Sequence, residues 1–301
     1  MDNRFLVFRG PSRGQGIGAT MLGLARALSL AADTGRQVCV SWRAFELAFV
    51  PLLSGCPSKA DYFSVGTSST GLIDSSASFE LWSFGDSTPM PVVTELLGSN
   101  RSVVLMSGDG GHTSTPQRSL RFPAQPRPEL IRLLSVPPRR LVVHLRVGDP
   151  SEKHRGLFGQ SPQASGLLVD SLPADAYVLT DSERVRDKLC ERFACPQWGI
   201  VPHSTERAMF SGERSGGSGG QHQLQRLQTW ADWWTIKSAS EHVLHTPSSF
   251  SQSALRFSSA TACVLQDVAS LRDCTTWSSK GQALQREEQL SVELRRQSLR
   301  M

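Results

Sequence analysis

The chain has 301 residues, 39% of them hydrophobic and 20% charged, which suits a globular protein of one large domain or two modest ones, and two is the expectation. Its formal charge of +5 comes mostly from arginines spread along the chain, an arrangement that favours anionic small ligands over a nucleic-acid groove. No apolar run reaches the ~18 residues that span a bilayer, and the N-terminus opens on a strand-like run with no signal-peptide core, so a soluble chain with no transmembrane segment is expected.

The first unit is β-α-β. Arg4 to Phe8 predicts a buried strand and Ala19 to Ala32 a helix, with Leu22, Leu24, Ala25, Leu28 and Leu30 as its apolar face. Gly35 stands where a C-cap belongs, and Val38 to Trp42 predicts the next strand. From Cys56 to Ser87 the Ser, Thr and Gly content predicts irregular connections and short helices. Ser102 to Met106 predicts a strand, Gly108 to Gly111 a turn, and about Glu129 to Leu134 a short helix within a proline-punctuated stretch where a lobe boundary is expected.

A second α/β unit follows. Arg140 to Leu145, Ala176 to Thr180 and Pro196 to Pro202 predict strands, and Ser182 to Phe193 a helix. The run from Ser211 to Gly220 has the composition of a flexible loop. Gln223 to Ala239 has helical spacing, Glu241 to His245 predicts a short strand, and Ser251 to Phe257 another helix. Residues 280 to 301 predict a charged helical tail. The six cysteines contain no CxxC pair or zinc-like His/Cys cluster, and they fit either disulfides in a secretory lumen or buried thiols in cytosol.

Glycines 14, 16 and 18, between the first strand and helix, allow a dinucleotide-binding turn as in short-chain dehydrogenases. That family pairs a Tyr with a Lys four residues on, whereas Tyr62 and Tyr177 are followed at that spacing by Gly66 and Asp181. The second strand also runs into Ser41-Trp42-Arg43 rather than the acidic residue that grips the ribose of NAD, although Arg43 suits NADP. An NAD(P)-dependent oxidoreductase therefore remains only as an alternative. A tight strand-to-helix turn accounts for the same glycines without any chemistry.

Chemistry gathers further on. "LVVHLRVGD" sets His144, Arg146 and Asp149 at a strand end, where an open α/β sheet presents its crevice and a guanidinium can grip a pyrophosphate, a pattern that also suits simple bridging to neighbouring carboxylates. "YVLTDSERV" sets Thr180, Asp181 and Ser182 at the next strand end, a pattern that also suits an ordinary helix N-cap. Asp232 follows on a helix, and Ser248, Ser249 and Ser251 surround Phe250 at a helix start, where hydroxyls and free N–H groups suit either phosphate or a serine cap.

In this order the three segments resemble the peptide motifs of the GDP-fucose-dependent fucosyltransferases of the α1,2, α1,6 and protein-O types, and Gly14 to Gly18 with "TGRQVCVSW" is similar to their N-terminal β-α-β. The resemblance covers about residues 4–43 and 140–258. It implies an α/β, GT-B-like fold of two Rossmann-like lobes facing a cleft. Residues 1–136 would form the acceptor-side lobe with its irregular insert, 137–279 the nucleotide-sugar lobe, and 280–301 the tail. It implies a glycosyltransferase that passes fucose from GDP-fucose, with inversion, to a glycan or glycoprotein hydroxyl, with no metal and no further cofactor.

Carried over, Arg146 would contact the β-phosphate and His144 support its loop. Asp181 would lie near the nucleotide and Asp232 near the guanine. Ser249, Phe250 and Ser251 would surround the pyrophosphate, and Gly14, Gly16 and Gly18 would close the cleft. Asp149, Glu152 and His154 are the general-base candidates, Glu152 being chosen. Val147 stands where α1,6 enzymes carry a second Arg, and Ala19 where an Asn or Asp often follows the glycine. A non-catalytic nucleotide- or glycan-binding homologue is the alternative. Family members work in the Golgi or endoplasmic reticulum, although no entry signal is evident in this sequence.

Overall fold

A computed structural model of the protein describes residues 4–10, 16–57, 72–73, 81–84, 93, 95, 97–98, 103–107, 120–134, 137–147, 172–198, 220–265 and 274. Two predominantly parallel sheets organise these residues. In the first, β1 (Phe5–Arg9) is flanked in parallel by β2 (Gln37–Ser41) and by a strand at Val103–Ser107. Leu6, Val7 and Phe8 are fully buried, as expected of a central parallel strand covered on both faces. Helix α1 (Ile17–Thr34) makes the β1–β2 crossover and ends on Gly35 at φ 64°, the left-handed conformation a helix terminator adopts.

The chain continues through α2 (Arg43–Ala48) into β3 (Phe49–Pro51), β4 (Leu72–Ile73), β5 (Leu81–Phe84) and β6 (Val103–Ser107). The first sheet has the order β2-β1-β6-β5-β4, antiparallel only between β4 and β5. β7 (Ala124–Pro126) pairs antiparallel with β3 and leads into α3 (Pro128–Ile131).

The second sheet is built from β8 (Leu141–Leu145), β9 (Tyr177–Thr180), β10 (His242–His245) and β11 (Thr261–Val264), all parallel in the order β11-β10-β8-β9. Helices α4 (Glu183–Cys190), α5 (Gly220–Lys237) and α6 (Ser249–Leu255) complete the described elements. After β8 the chain moves to β9 on one side, and after β10 it moves to β11 on the other. The strand order therefore reverses between β8 and β10, which places the natural ligand crevice at their carboxyl ends.

The two sheets share a core. A single apolar cluster includes Leu6, Phe8, Val104 and Met106 of the first sheet and Val142, Leu179 and Val243 of the second. Helix α5 bolts them together, because Trp230 and Trp233 are fully buried among Phe45, Phe49, Phe122 and Phe257. Their indole N–H groups donate to Ala44 O at 2.8 Å and Ser253 Oγ at 2.9 Å, so neither ring leaves a buried donor unpaired. All six cysteines are in disulfides: Cys39–Cys56, Cys190–Cys195 and Cys263–Cys274.

Several sequence expectations change. Helix α1 starts at Ile17 rather than Ala19, and its buried stripe is Ile17, Met21, Leu24, Ala25, Ala27 and Ala31. Leu22, Leu28 and Leu30 are only half-buried. β4 and β5 lie where only irregular chain and short helices were expected, and β3, β7, α2 and β11 were not foreseen. These strands are two to four residues long, too short to establish a period.

The strand expected from Pro196 to Pro202 is absent over its described part. Among the described residues the only pairing nearby is a single bridge from Ala194 to Tyr177. Helix α4 ends at Cys190 rather than Phe193, and α6 begins at Ser249 rather than Ser251. The Gly108–Gly111 turn, the 211–219 loop and the tail 280–301 lie outside the described residues.

Candidate active site

β8, β9 and β10 deliver polar groups to one edge. His144 of β8 is in register with His245 of β10 and Leu179 of β9. Arg146 and Asp181, just beyond β8 and β9, form an ion pair with Nε to Oδ2 at 3.2 Å and side-chain exposures of 18% and 11%. The second carboxylate oxygen accepts the Val147 N–H at 2.7 Å, so Asp181 anchors both the backbone and the side chain of the His-x-Arg turn. The N-cap reading of that segment is corrected in part, since Ser182 holds the cap position of α4 without a side-chain bond, and Asp181 turns to Arg146 instead.

Thr246 fastens the same turn from the other side. Its Oγ1 accepts the Arg146 N–H at 2.6 Å and donates back to Arg146 O at 3.5 Å. The guanidinium is thereby held from β9 and its backbone from β10, across the point where the strand order reverses. Neither Thr246 nor His245 is among the site residues read from the sequence. The available signal was that "HVLHT" runs parallel to "LVVHLR" and ends level with it, a pairing invisible until both strands are placed.

His144 is 6% exposed, and its ring stacks on Phe250 at 5.3 Å with planes 27° apart. Its Nδ1 has no hydrogen-bond partner. Burial first, then the positive charge of Arg146 and the neighbouring His245, pushes its pKa from the usual 6.5 down to about 3, so the ring is neutral at physiological pH. His245 is also shifted down, by burial, against the opposing effect of its bond to Thr246 O. His245 Nδ1 meets Ser251 Oγ at 3.0 Å.

The start of α6 is a serine cap. Ser248 Oγ accepts the Ser251 N–H at 3.2 Å and meets Ser251 Oγ at 3.1 Å. The Ser251 hydroxyl is fully buried among His245, Ser248 and the Thr246 carbonyl, and so acts within the protein, whereas Ser249 is exposed. Against this helix start lies the start of α1. A Cβ placed on Gly18 would collide with the Phe250 backbone N–H and lie 2.6 Å from Ser249 C, which only a residue without a side chain permits. Gly16 caps α1 in an extended conformation.

Thus Gly18, His144, Arg146, Asp181, Phe250 and Ser251 form one neighbourhood. Asp232 accepts from Trp198 Nε1 at 3.1 Å. Gly14, Asp149, Glu152 and His154 lie outside the described residues. Among the described residues no group of three or more His, Cys, Asp or Glu side chains is placed to hold a metal ion, and no helix is long and apolar enough to cross a membrane.

No protein-family model matches the sequence, and no curated protein matches it. Solved structures do match by fold. FUT1 of Arabidopsis thaliana, as a point mutant in complex with GDP, aligns with TM-score 0.53 and 12% identity over 87% of this chain and 70% of that one. The fucosyltransferase NodZ from Bradyrhizobium aligns with TM-score 0.46 and 15% identity over 84% of this chain and 92% of that one. NodZ α1,6-fucosyltransferase co-crystallised with GDP gives 0.47 and 16% over 84% and 92%. The FUT1 alignment establishes a fucosyltransferase-like fold.

Proposed function

We propose that this chain is a glycosyltransferase that passes fucose from GDP-fucose to a hydroxyl of a glycan or glycoprotein with inversion, in a GT-B arrangement of two Rossmann-like lobes. Residues 1–136 serve the acceptor and 137–279 the donor. The observation that carries the reading is Arg146, held by Asp181 and Thr246 at the reversal point of a parallel sheet. In such a crevice a pre-aimed guanidinium meets diphosphate oxygens and offsets the charge that grows as GDP departs. The fold shared with GDP-bound FUT1 supports the choice of donor.

The acceptor oxygen attacks the anomeric carbon as the bond to the β-phosphate oxygen breaks, and its proton passes to a carboxylate, for which Glu152 is the candidate. His144, neutral and stacked on Phe250, keeps the α6 start seated beside Arg146. The start of α1 at Gly16 and Gly18 closes on it from the other sheet. The three disulfides favour work in an oxidising lumen such as the endoplasmic reticulum or Golgi.

The test is thermal stabilisation by GDP, GDP-fucose, GDP-mannose, UDP-glucose, NAD and NADP, for the wild type and Arg146→Ala. Stabilisation by GDP and GDP-fucose that Arg146→Ala abolishes is expected. A response to NADP alone sinks the reading. Release of GDP from GDP-fucose then separates a working transferase from a binding homologue.

A further inference from the structure

His245 closes β10 and is 2% exposed, and both the Arg146 turn and the start of α6 attach within a few residues of it. Its Nδ1 lies 3.1 Å from Thr246 O and 3.0 Å from Ser251 Oγ. These two contacts fix the tautomer. A carbonyl oxygen only accepts, so Nδ1 carries the hydrogen, and burial favours the neutral ring that holds it. With the hydrogen on Nε2 instead, two lone pairs would face each other across the same distance.

The rest of the hydrogen bonds follow from that assignment. The Nδ1–H is shared between Thr246 O and Ser251 Oγ, so the Ser251 hydroxyl accepts from His245. It then donates its own hydrogen to Ser248, whose Oγ lies 3.1 Å away and whose carbonyl lies 3.3 Å away. Ser248 Oγ in turn accepts the Ser251 N–H. This chain of bonds spans the joint between two parts of the crevice. On one side Thr246 Oγ1 accepts the Arg146 N–H, and on the other Ser248 caps α6. From there α6 lays Phe250 on the His144 ring and against Gly18.

We propose that His245 is a positioning residue whose Nδ1–H, shared between Thr246 O and Ser251 Oγ, fixes the start of α6 and its Phe250 relative to Arg146. That this placement serves GDP rests on the proposed function, whereas the placement itself is readable without ligand.

Nitrogen and proton NMR of the isotope-labelled full chain, calorimetric titration with GDP and thermal unfolding test it on wild type, His245→Phe, His245→Asn and Ser251→Ala. His245→Phe fills the ring space without a donor, and His245→Asn keeps an N–H where Nδ1 stands. The wild-type imidazole signals that vanish in His245→Phe should show the hydrogen on Nδ1. The His144 ring protons, shifted by the stacked Phe250 ring, should move in His245→Phe and Ser251→Ala and hold their place in His245→Asn. GDP affinity should fall about tenfold in His245→Phe and Ser251→Ala, as expected for one buried hydrogen bond, and less than about twofold in His245→Asn. A hydrogen on Nε2, His144 signals that stay put in both His245→Phe and Ser251→Ala, or affinities that follow Tm rather than the presence of the donor overturn the proposal. A wild type that does not bind GDP overturns the donor reading alone, and the tautomer and ring shifts then decide the positioning. Should His245→Phe not fold, Ser251→Ala, which removes a single hydroxyl, carries the same comparison.

Discussion

Gly18→Ala tests whether the two helix starts form one rigid unit. The new Cβ meets backbone atoms of Ser249 and Phe250, with Phe250 Cα at 2.5 Å, so no rotamer change relieves the overlap. To restore ordinary contact, α6 must withdraw from α1 by about 1 Å, and overpacking of this kind costs roughly 1–3 kcal/mol. The gain of alanine over glycine is at most ~1 kcal/mol in a helix interior and less in its first turn, so the net change is a loss. At roughly 2–4 °C per kcal/mol, Tm should fall by about 2–8 °C. Because Phe250 stacks on His144, the same shift should weaken GDP binding. Gly98→Ala, whose Cβ meets nothing within 4 Å among the described residues, is the control and should move stability by less than ~0.5 kcal/mol. Differential scanning calorimetry of the three proteins decides. A Gly18→Ala protein as stable as wild type refutes the idea of a fixed contact.

His144 has a folded pKa of about 3 against 6.5 unfolded, so the unfolded chain binds the extra proton. Its contribution to stability is complete above pH 6.5 and falls by about 1.4 kcal/mol per unit on acidification toward pH 3. His144→Phe should keep the stack on Phe250 and flatten urea-unfolding stability between pH 6 and 4, and an unchanged slope would contradict the buried neutral ring. Asp181→Asn retains an acceptor for the Val147 N–H but sets an uncharged group against Arg146 Nε. Discounted for partial exposure, the loss should be about 1–2 kcal/mol, with at least tenfold weaker GDP binding by calorimetry. Undiminished affinity would show that Arg146 is oriented by something else. Removing the Cys39–Cys56 bridge, which closes a loop of 17 residues, by replacing both cysteines with alanine should cost about 3 kcal/mol in urea unfolding. A full complement of six free thiols in the unreduced wild type would refute the bridges altogether.

Local rules were enough for the central elements. β1, β8, β9 and β10 announce themselves as short, largely buried apolar runs, α1 by its apolar stripe and its Gly35 terminator, and β2 by the alternation that follows Gly35. The His-x-Arg turn was legible as a cation at a buried strand's end and through the resemblance of its motif, although Arg146 also has the structural use of bridging to Asp181. Other features depend on partners distant in the chain. Trp230 and Trp233 look like any amphipathic stripe until the sheets close on them, and Thr246 acquires its role only when β10 lies beside β8. Gly18 has the same dependence, for nothing in "GQGIG" says that another helix start will press against it. The sequence by itself determined the longer strands and helices and which charges end up at their tips, since these follow from neighbours a few residues apart, but not the short strands β3, β4, β5, β7 and β11. Only the tertiary structure decided which tips meet, because strand order and helix contact are set by burial shared between segments one hundred to two hundred residues apart.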